Sequence, residues 1–129
     1  MAPDLSVAQF TVSPDFGPDL IGSWFVFDTW MQRRLGRPIH LELHDSFAAQ
    51  RAALAAGEID MIYANPSDAA VLVRSYGFTP VVRPAQHPDE VVLAAAAASS
   101  IHHVEDRAPC TPLAQTDDPD VSMIARIML

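Results

Sequence analysis

The fold of this chain is indicated most clearly by residues 59–70, which read IDMIYANPSDAA. The first six of them are mostly apolar and predict a buried strand at residues 59–64. Asn65 then stands at a plausible helix N-cap, and Pro66 occupies the first helical position, where a missing N–H is tolerated. The segment therefore predicts a strand that runs directly into a helix, with the helix N-terminus at the carboxyl end of the strand.

Two more junctions of this kind occur in the sequence. Residues 5–12 predict a strand that leads to a Gly-Pro helix start at residues 17–18, and residues 114–116 lead to an Asp-Pro helix start at residues 118–119. In open α/β sheets the free N–H groups and positive dipole ends of such helices gather at the carboxyl edge of the strands, where ligands bind. The pattern favours a ligand-binding protein over an enzyme.

The rest of the chain continues the alternation of strands and helices. Apolar periodicity predicts helices at residues 18–35, 46–56 and 65–76, strands at residues 38–43, 78–83 and 90–98, and a final helix from about residue 121. Alternating strands and helices imply parallel strand pairing with right-handed crossovers. The predicted fold class is therefore α/β, a mainly parallel sheet with helices on both faces.

The composition restricts the function. The net charge of −8 and the pI near 4.8 argue against nucleic acid or an anionic membrane surface as the partner. Binding to either surface needs a basic patch that neutralises its phosphates, which so acidic a chain does not offer. All eight basic residues are Arg, which excludes a Schiff-base or Walker lysine, and the single Cys110 cannot form an internal disulfide. The sequence holds no run of membrane-spanning length, and its first residues lack the regions of a signal peptide, as a processed exported protein would.

Four segments carry a resemblance to a known family. They are SPDF at residues 13–16, AAQRAAL at 48–54, IDMIYANPSDA at 59–69 and GFTPVVRP at 77–84. Their order resembles the first lobe of a type II periplasmic solute-binding protein, and is most similar to the phosphate, phosphite and phosphonate binding subunits of ABC importers. The most specific element is YANPSD at residues 63–68, which matches the turn at which lobe one of the family meets its ligand.

The resemblance implies a solute-binding component of an ABC importer, located in the periplasm, that presents a small phosphorus oxyanion to an inner-membrane permease without covalent chemistry or a cofactor. It implies a ligand-binding lobe one with its hinge strand at residues 1–98, and a crossing segment with the start of a truncated lobe two at residues 99–129. Two alternatives remain open at this point. One is an enzyme on the same two-lobed fold, of the chorismate dehydratase type, and the other is a cytoplasmic small-molecule sensor.

The candidate ligand-binding side chains stand at the predicted strand ends and helix starts: Ser13, Asp15, His44, Tyr63, Asn65, Ser67, Thr116 and Asp117. Their hydroxyls and the helix N–H groups could bind an oxyanion, although Ser and Thr at these places also serve as caps and turn residues. The carboxylates oppose a bound anion, since unit charges 4 Å apart repel by about 4 kcal/mol at an effective dielectric of 20. Some of them therefore point to solvent, accept a proton from the ligand, or bind a cationic group on it.

Three other groups of residues are interpreted conservatively. His102 and His103 lack the spacing of a metal site and are typical of a solvated loop. Ser13, His44 and Asp45 have the residue types of a catalytic triad, but there is no nucleophile elbow, which disfavours a hydrolase. The aromatic residues of the first helix are interpreted as core and as a face for the neighbouring lobe: Trp24, Phe25, Phe27 and Trp30.

The last helix carries an apolar stripe for which no covering segment is evident in the sequence: Val121, Ile124, Ala125, Met128 and Leu129. Large apolar patches rarely stay exposed in soluble monomers. We therefore expect this stripe to pack against another chain, and exchange of the segment after Ala98 between two copies would form such a homodimer.

Overall fold

The computed structural model describes residues 6–86, 94–106 and 119–128. The chain divides into two compact units, Met1–Asn65 and Pro66–Leu129. The first unit contains, in order, β1 (Ala8–Val12), α1 (Ile21–Leu35), β2 (Ile39–Leu41), α2 (Phe47–Ala55) and β3 (Met61–Tyr63). The second unit contains α3 (Pro66–Ser75) and α4 (Pro119–Met128). Within the described ranges no helix has the length and apolar character to cross a membrane.

The strands form one parallel sheet with the order β2-β1-β3. Phe10 on the central strand is aligned with Leu41 of β2 and with Met61 of β3. Because β1 leads to β2 on one side and β2 then leads to β3 on the other, right-handed crossovers require α1 and α2 to lie on opposite faces of the sheet. The predicted α/β class, a parallel sheet with helices on both faces, is confirmed.

The alternation of side chains along β1 supplies both faces of the sheet. Phe10 and Val12 point to one face and form a buried cluster with residues of β2, against which Met61 of β3 and Trp24 of α1 pack. Thr11 points to the other face, where it meets Gln50 of α2. Burial of an apolar side chain such as Val12, which is 0% exposed, stabilises the fold by about 1.5–3 kcal/mol. The central strand is therefore the core of the first unit.

The ends of the helices agree with the sequence prediction. The Ser46 hydroxyl accepts the Ala49 N–H at 3.1 Å and caps α2, and Gly36 ends α1 in the left-handed conformation with φ of 64°. The predicted helix at residues 18–35 begins as a 3₁₀ turn, Pro18–Leu20, before α1. Asn65 directly precedes α3, as the capping pattern predicts.

Two predicted strands are wrong where they fall on described residues. At residues 78–83 no strand forms, because the Phe78 N–H donates to the Leu72 carbonyl at 3.2 Å and Pro80 has no N–H for a strand ladder. At residues 94–98 the chain is exposed and turns, with the Ser99 N–H on the Ala96 carbonyl at 2.8 Å. Alanine has little strand propensity and little area to bury, which explains the second difference. Residues 90–93 of the second predicted strand lie outside the described residues, as do residues 114–116 before the last helix.

In the second unit, α3 and α4 pack against each other. Leu72 of α3 and Ala125 of α4 are buried, whereas Ile127 is 76% exposed. The expectation that nothing within the chain covers the apolar stripe of the last helix is wrong for Ala125, because this residue is buried and α3 of the same unit packs against α4. The side chains of Met128 and Leu129 lie outside the described residues, and the predicted division of the chain at residue 98 stays a prediction.

Candidate functional site

The carboxyl end of β1 is the point at which the strand order reverses. Since β1 pairs with β2 on one side and with β3 on the other, the loops that follow β1 and β3 leave the same edge of the sheet next to each other. In parallel α/β sheets the crevice for a ligand forms at such a switch point. The segments concerned are residues 13–17 after β1 and residues 64–65 after β3.

Ser13 holds these two segments together. Its backbone N–H and its hydroxyl both donate to the Tyr63 carbonyl, at 2.9 and 3.2 Å, and the hydroxyl accepts the Asn65 N–H at 3.2 Å. The residue is 4% exposed. A serine hydroxyl has a single proton, so Ser13 can donate to an oxyanion only by leaving the Tyr63 carbonyl.

A second hydrogen bond joins the same two segments through side chains. Asn65 donates its Nδ2 amide to Oδ2 of Asp15 at 2.9 Å. Asp15 is exposed and Asn65 is half-buried. The contact fixes the orientation of the Asn65 amide, which keeps a second N–H for another acceptor. It also gives the Asp15 carboxylate a partner within the protein.

Aromatic rings surround the end of β3. The Tyr63 ring lies 5.0 Å from the Trp24 ring and is 40% exposed, and Trp24 in turn lies 6.2 Å from Phe16. The Phe16 and Trp24 rings meet edge to face, a favourable arrangement for aromatic pairs, and the Tyr63 and Trp24 rings are tilted against each other. Two buried polar atoms of α1 have no hydrogen-bond partner within the described part of the chain, Nε1 of Trp24 and Oδ1 of Asp28.

His44 is held on the opposite face of the sheet from the aromatic cluster of α1. Its Nδ1 lies 3.0 Å from Oγ1 of Thr11, and Gln50 donates to the Val12 carbonyl at 2.8 Å. The predicted site residue His44 therefore contacts Thr11, and the Ser13 proton is donated to a backbone carbonyl. The triad considered from the sequence is not assembled.

Thr11 and Gln50 were not singled out from the sequence, although both are 4% exposed or less. The available signal was the polar Thr11 between the apolar Phe10 and Val12 of the strand, and the single uncharged polar residue of the AAQRAAL segment at position 50. A buried polar side chain needs hydrogen-bond partners, which predicts that two such residues meet.

Ser67 belongs to the second unit, in the first turn of α3. Its backbone N–H donates to Oδ1 of Asp120 at 2.7 Å, and Asp120 is 8% exposed. This carboxylate was not predicted as a functional group. Thr116 and Asp117, the remaining predicted ligand residues, lie outside the described residues.

The two histidines of the predicted loop also have a defined environment. The backbone N–H groups of His102 and His103 donate to Oδ2 of Asp106, each at 2.8 Å, and hold the pKa of the Asp106 carboxyl below its ordinary value of 3.8. Among the described residues no group of three or more potential ligand side chains could hold a metal ion.

The carboxyl edge of the switch-point strands, where these polar residues lie, is the place at which open α/β sheets bind their ligands. The chain belongs to the family described as ABC transporter, phosphonate, periplasmic substrate-binding protein, whose model matches residues 10–129. The resemblance stated from the sequence is thereby confirmed. The family is one of transporter binding proteins, generally not enzymes, and implies a small-molecule ligand, an ABC permease as partner and a periplasmic location. Searches among curated proteins and among solved structures each gave no match.

Proposed function

We propose that this chain binds a small phosphorus oxyanion, namely phosphate, phosphite or a phosphonate, and that the bound form is presented to an ABC permease. The observation that carries the proposal is the switch point after β1 and β3, where Ser13 and Asp15 fix the segment that contains Tyr63 and Asn65. The family match, which begins at Phe10 and includes all predicted site residues, supports a ligand of this class.

In this proposal the predicted residues have different tasks. Asn65 donates its remaining amide N–H to the ligand, and Asp15 orients it. The hydroxyl of Tyr63 donates to a further oxygen, since hydrogen bonds to a charged acceptor are about twice as strong as neutral ones. Ser67 of the second unit remains a predicted ligand residue. Ser13 keeps the segments together, and His44, Thr116 and Asp117 remain predicted ligand residues.

Isothermal titration calorimetry at constant ionic strength tests the ligand class. The titrants are inorganic phosphate, phosphite, methylphosphonate and 2-aminoethylphosphonate, and sulfate serves as the comparator of similar shape. A phosphorus oxyanion should bind more tightly than sulfate. Tighter binding of 2-aminoethylphosphonate than of methylphosphonate would mean that carboxylates of the site face a cationic group. Failure of all four phosphorus compounds to bind would overturn the proposal.

Ser67→Ala tests the site. Loss of one hydrogen bond to a charged ligand should weaken binding by about 1.5–3 kcal/mol, which is roughly a 10- to 150-fold rise in Kd. Ser75→Ala is the matched control, because Ser75 is exposed and lies at the other end of α3, about 12 Å along the helix axis. Equal affinities of the two variants would remove Ser67 from the site.

We also propose that two copies of the chain form a homodimer through the segment after Ala98, and light scattering tests this association. The exposed apolar residue Ile127 of this segment supports it, being 76% exposed. A monomer at micromolar concentration would refute this association and leave the proposed ligand unaffected.

A further inference from the structure

The Asp120 carboxylate accepts a hydrogen bond from a backbone N–H at the beginning of α3. With Pro66 as the first residue of the helix, Ser67 supplies the first free N–H, and Oδ1 of Asp120 accepts it at 2.7 Å. The N-terminus of an α-helix attracts negative charge because its N–H groups are unpaired and its dipole is positive there. A carboxylate of the protein itself therefore lies on the donor that an oxyanion near Ser67 would use.

The burial of Asp120 shows that this contact is part of the folded unit. The residue is 8% exposed, and α3 and α4 pack against each other. A buried carboxylate is tolerated only where hydrogen bonds and favourable dipoles replace its hydration. Asp120 has both, because it lies in the first turn of its own helix α4 while it accepts a hydrogen bond from the first turn of α3.

We propose that Asp120 is an internal competitor of the ligand, an autoinhibitory contact that occupies the Ser67 N–H until an oxyanion displaces the carboxylate. This inference rests on the proposed function, in which Ser67 contributes to the ligand site. Two negative charges within hydrogen-bond distance of one N–H repel each other, so the carboxylate must leave before the anion takes the donor. The contact thereby lowers the affinity for every anion and restricts binding to those that bind strongly enough to displace it.

Asp120→Asn tests this competition with little change of shape. The amide oxygen of asparagine can still accept the Ser67 N–H, so the contact between α3 and α4 is kept while its charge is removed. We expect inorganic phosphate and methylphosphonate to bind about 10-fold more tightly to this variant than to the wild type, measured by calorimetry at pH 7.5. Glu105→Gln is the matched control, because it removes the same charge from an exposed side chain of the same unit.

A second test of the competition uses the wild-type chain and therefore does not depend on the folding of a variant. Saturation with phosphate should move the side-chain carboxylate ¹³C resonance of Asp120 and the amide proton resonance of Ser67, because the carboxylate leaves this N–H. If phosphate binds and neither resonance moves, the proposal is overturned.

The outcomes separate this inference from the proposed function. If the wild type binds phosphate, Asp120→Asn binds it more tightly and Glu105→Gln binds it equally well, both the competition and the proposed function are supported. Wild-type binding that Asp120→Asn leaves unchanged or weakens overturns the competition and leaves the proposed function standing. Binding by the variant alone supports the competition, and absence of binding by every form removes the proposed function together with this inference.

Discussion

Replacing Ser13 with alanine should destabilise the first unit by removing the link between the segments after β1 and β3. The hydroxyl donates one hydrogen bond and accepts another, each at 3.2 Å, and the residue is 4% exposed. A net contribution of about 0.5–1.5 kcal/mol for each bond gives a loss of about 1–3 kcal/mol. The loss falls in the lower half of this range only if water forms a hydrogen bond with the freed Asn65 N–H, because Asn65 is half-buried.

Urea unfolding followed by circular dichroism measures this loss as a lower midpoint with an unchanged slope. In a chain of 129 residues, a loss of about 2 kcal/mol lowers the Tm by roughly 8 °C. Ser23→Ala is the control, because Ser23 is exposed on α1. A stability equal to that of this control would refute the structural role of Ser13, and loss of ligand binding at unchanged stability would assign the hydroxyl to the ligand instead.

Three further predictions concern the buried and charged groups of the chain. Gln50→Leu should lower the free energy of unfolding by about 1–3 kcal/mol in urea titrations, because the Val12 carbonyl loses its donor; an unchanged midpoint would contradict this. Asp28→Leu should raise it by about 1 kcal/mol, since a buried carboxylate oxygen without a partner is removed, and a loss would show that Oδ1 has a partner in solution. NMR spectra should show Asp106 titrating below its ordinary pKa of 3.8. The stability that its turn contributes is therefore present above pH 3.8 and is lost as the pH falls through the lowered pKa. Titration at or above 3.8 would refute the two backbone hydrogen bonds.

The local pattern of the sequence was sufficient to predict the three strands of the sheet. Residues 59–64 and the Asn-Pro helix start identified β3 and the beginning of α3, since strand alternation, capping and proline position all depend on neighbours in sequence. The same reasoning failed at residues 78–83, which have the apolar content of a strand. There, Pro80 and the bond from the Phe78 N–H back to α3 decided the conformation, and apolar content alone does not report either.

The site was predicted in part for a similar reason. The carboxyl edge of the sheet follows from the α/β class, which is why Ser13, Tyr63 and Asn65 could be named together. Which hydrogen bonds they form depends on the register of β1 against β3, and this is not readable from either strand alone. The contact between Ser67 and Asp120 spans 53 residues and depends on the packing of α3 against α4, so no local pattern predicts it.

The two tryptophans of the chain lie in unlike surroundings, which gives the molecule its own optical label. Trp30 is 56% exposed and stacks on Phe27, with 5.7 Å between the ring centroids, whereas Trp24 is half-buried beside Tyr63 at the end of β3. Iodide should quench the emission of Trp30 and leave that of Trp24. A Trp30→Phe variant would then fluoresce from a single indole, and its emission would report directly on the edge of the sheet where Ser13 joins the two loops.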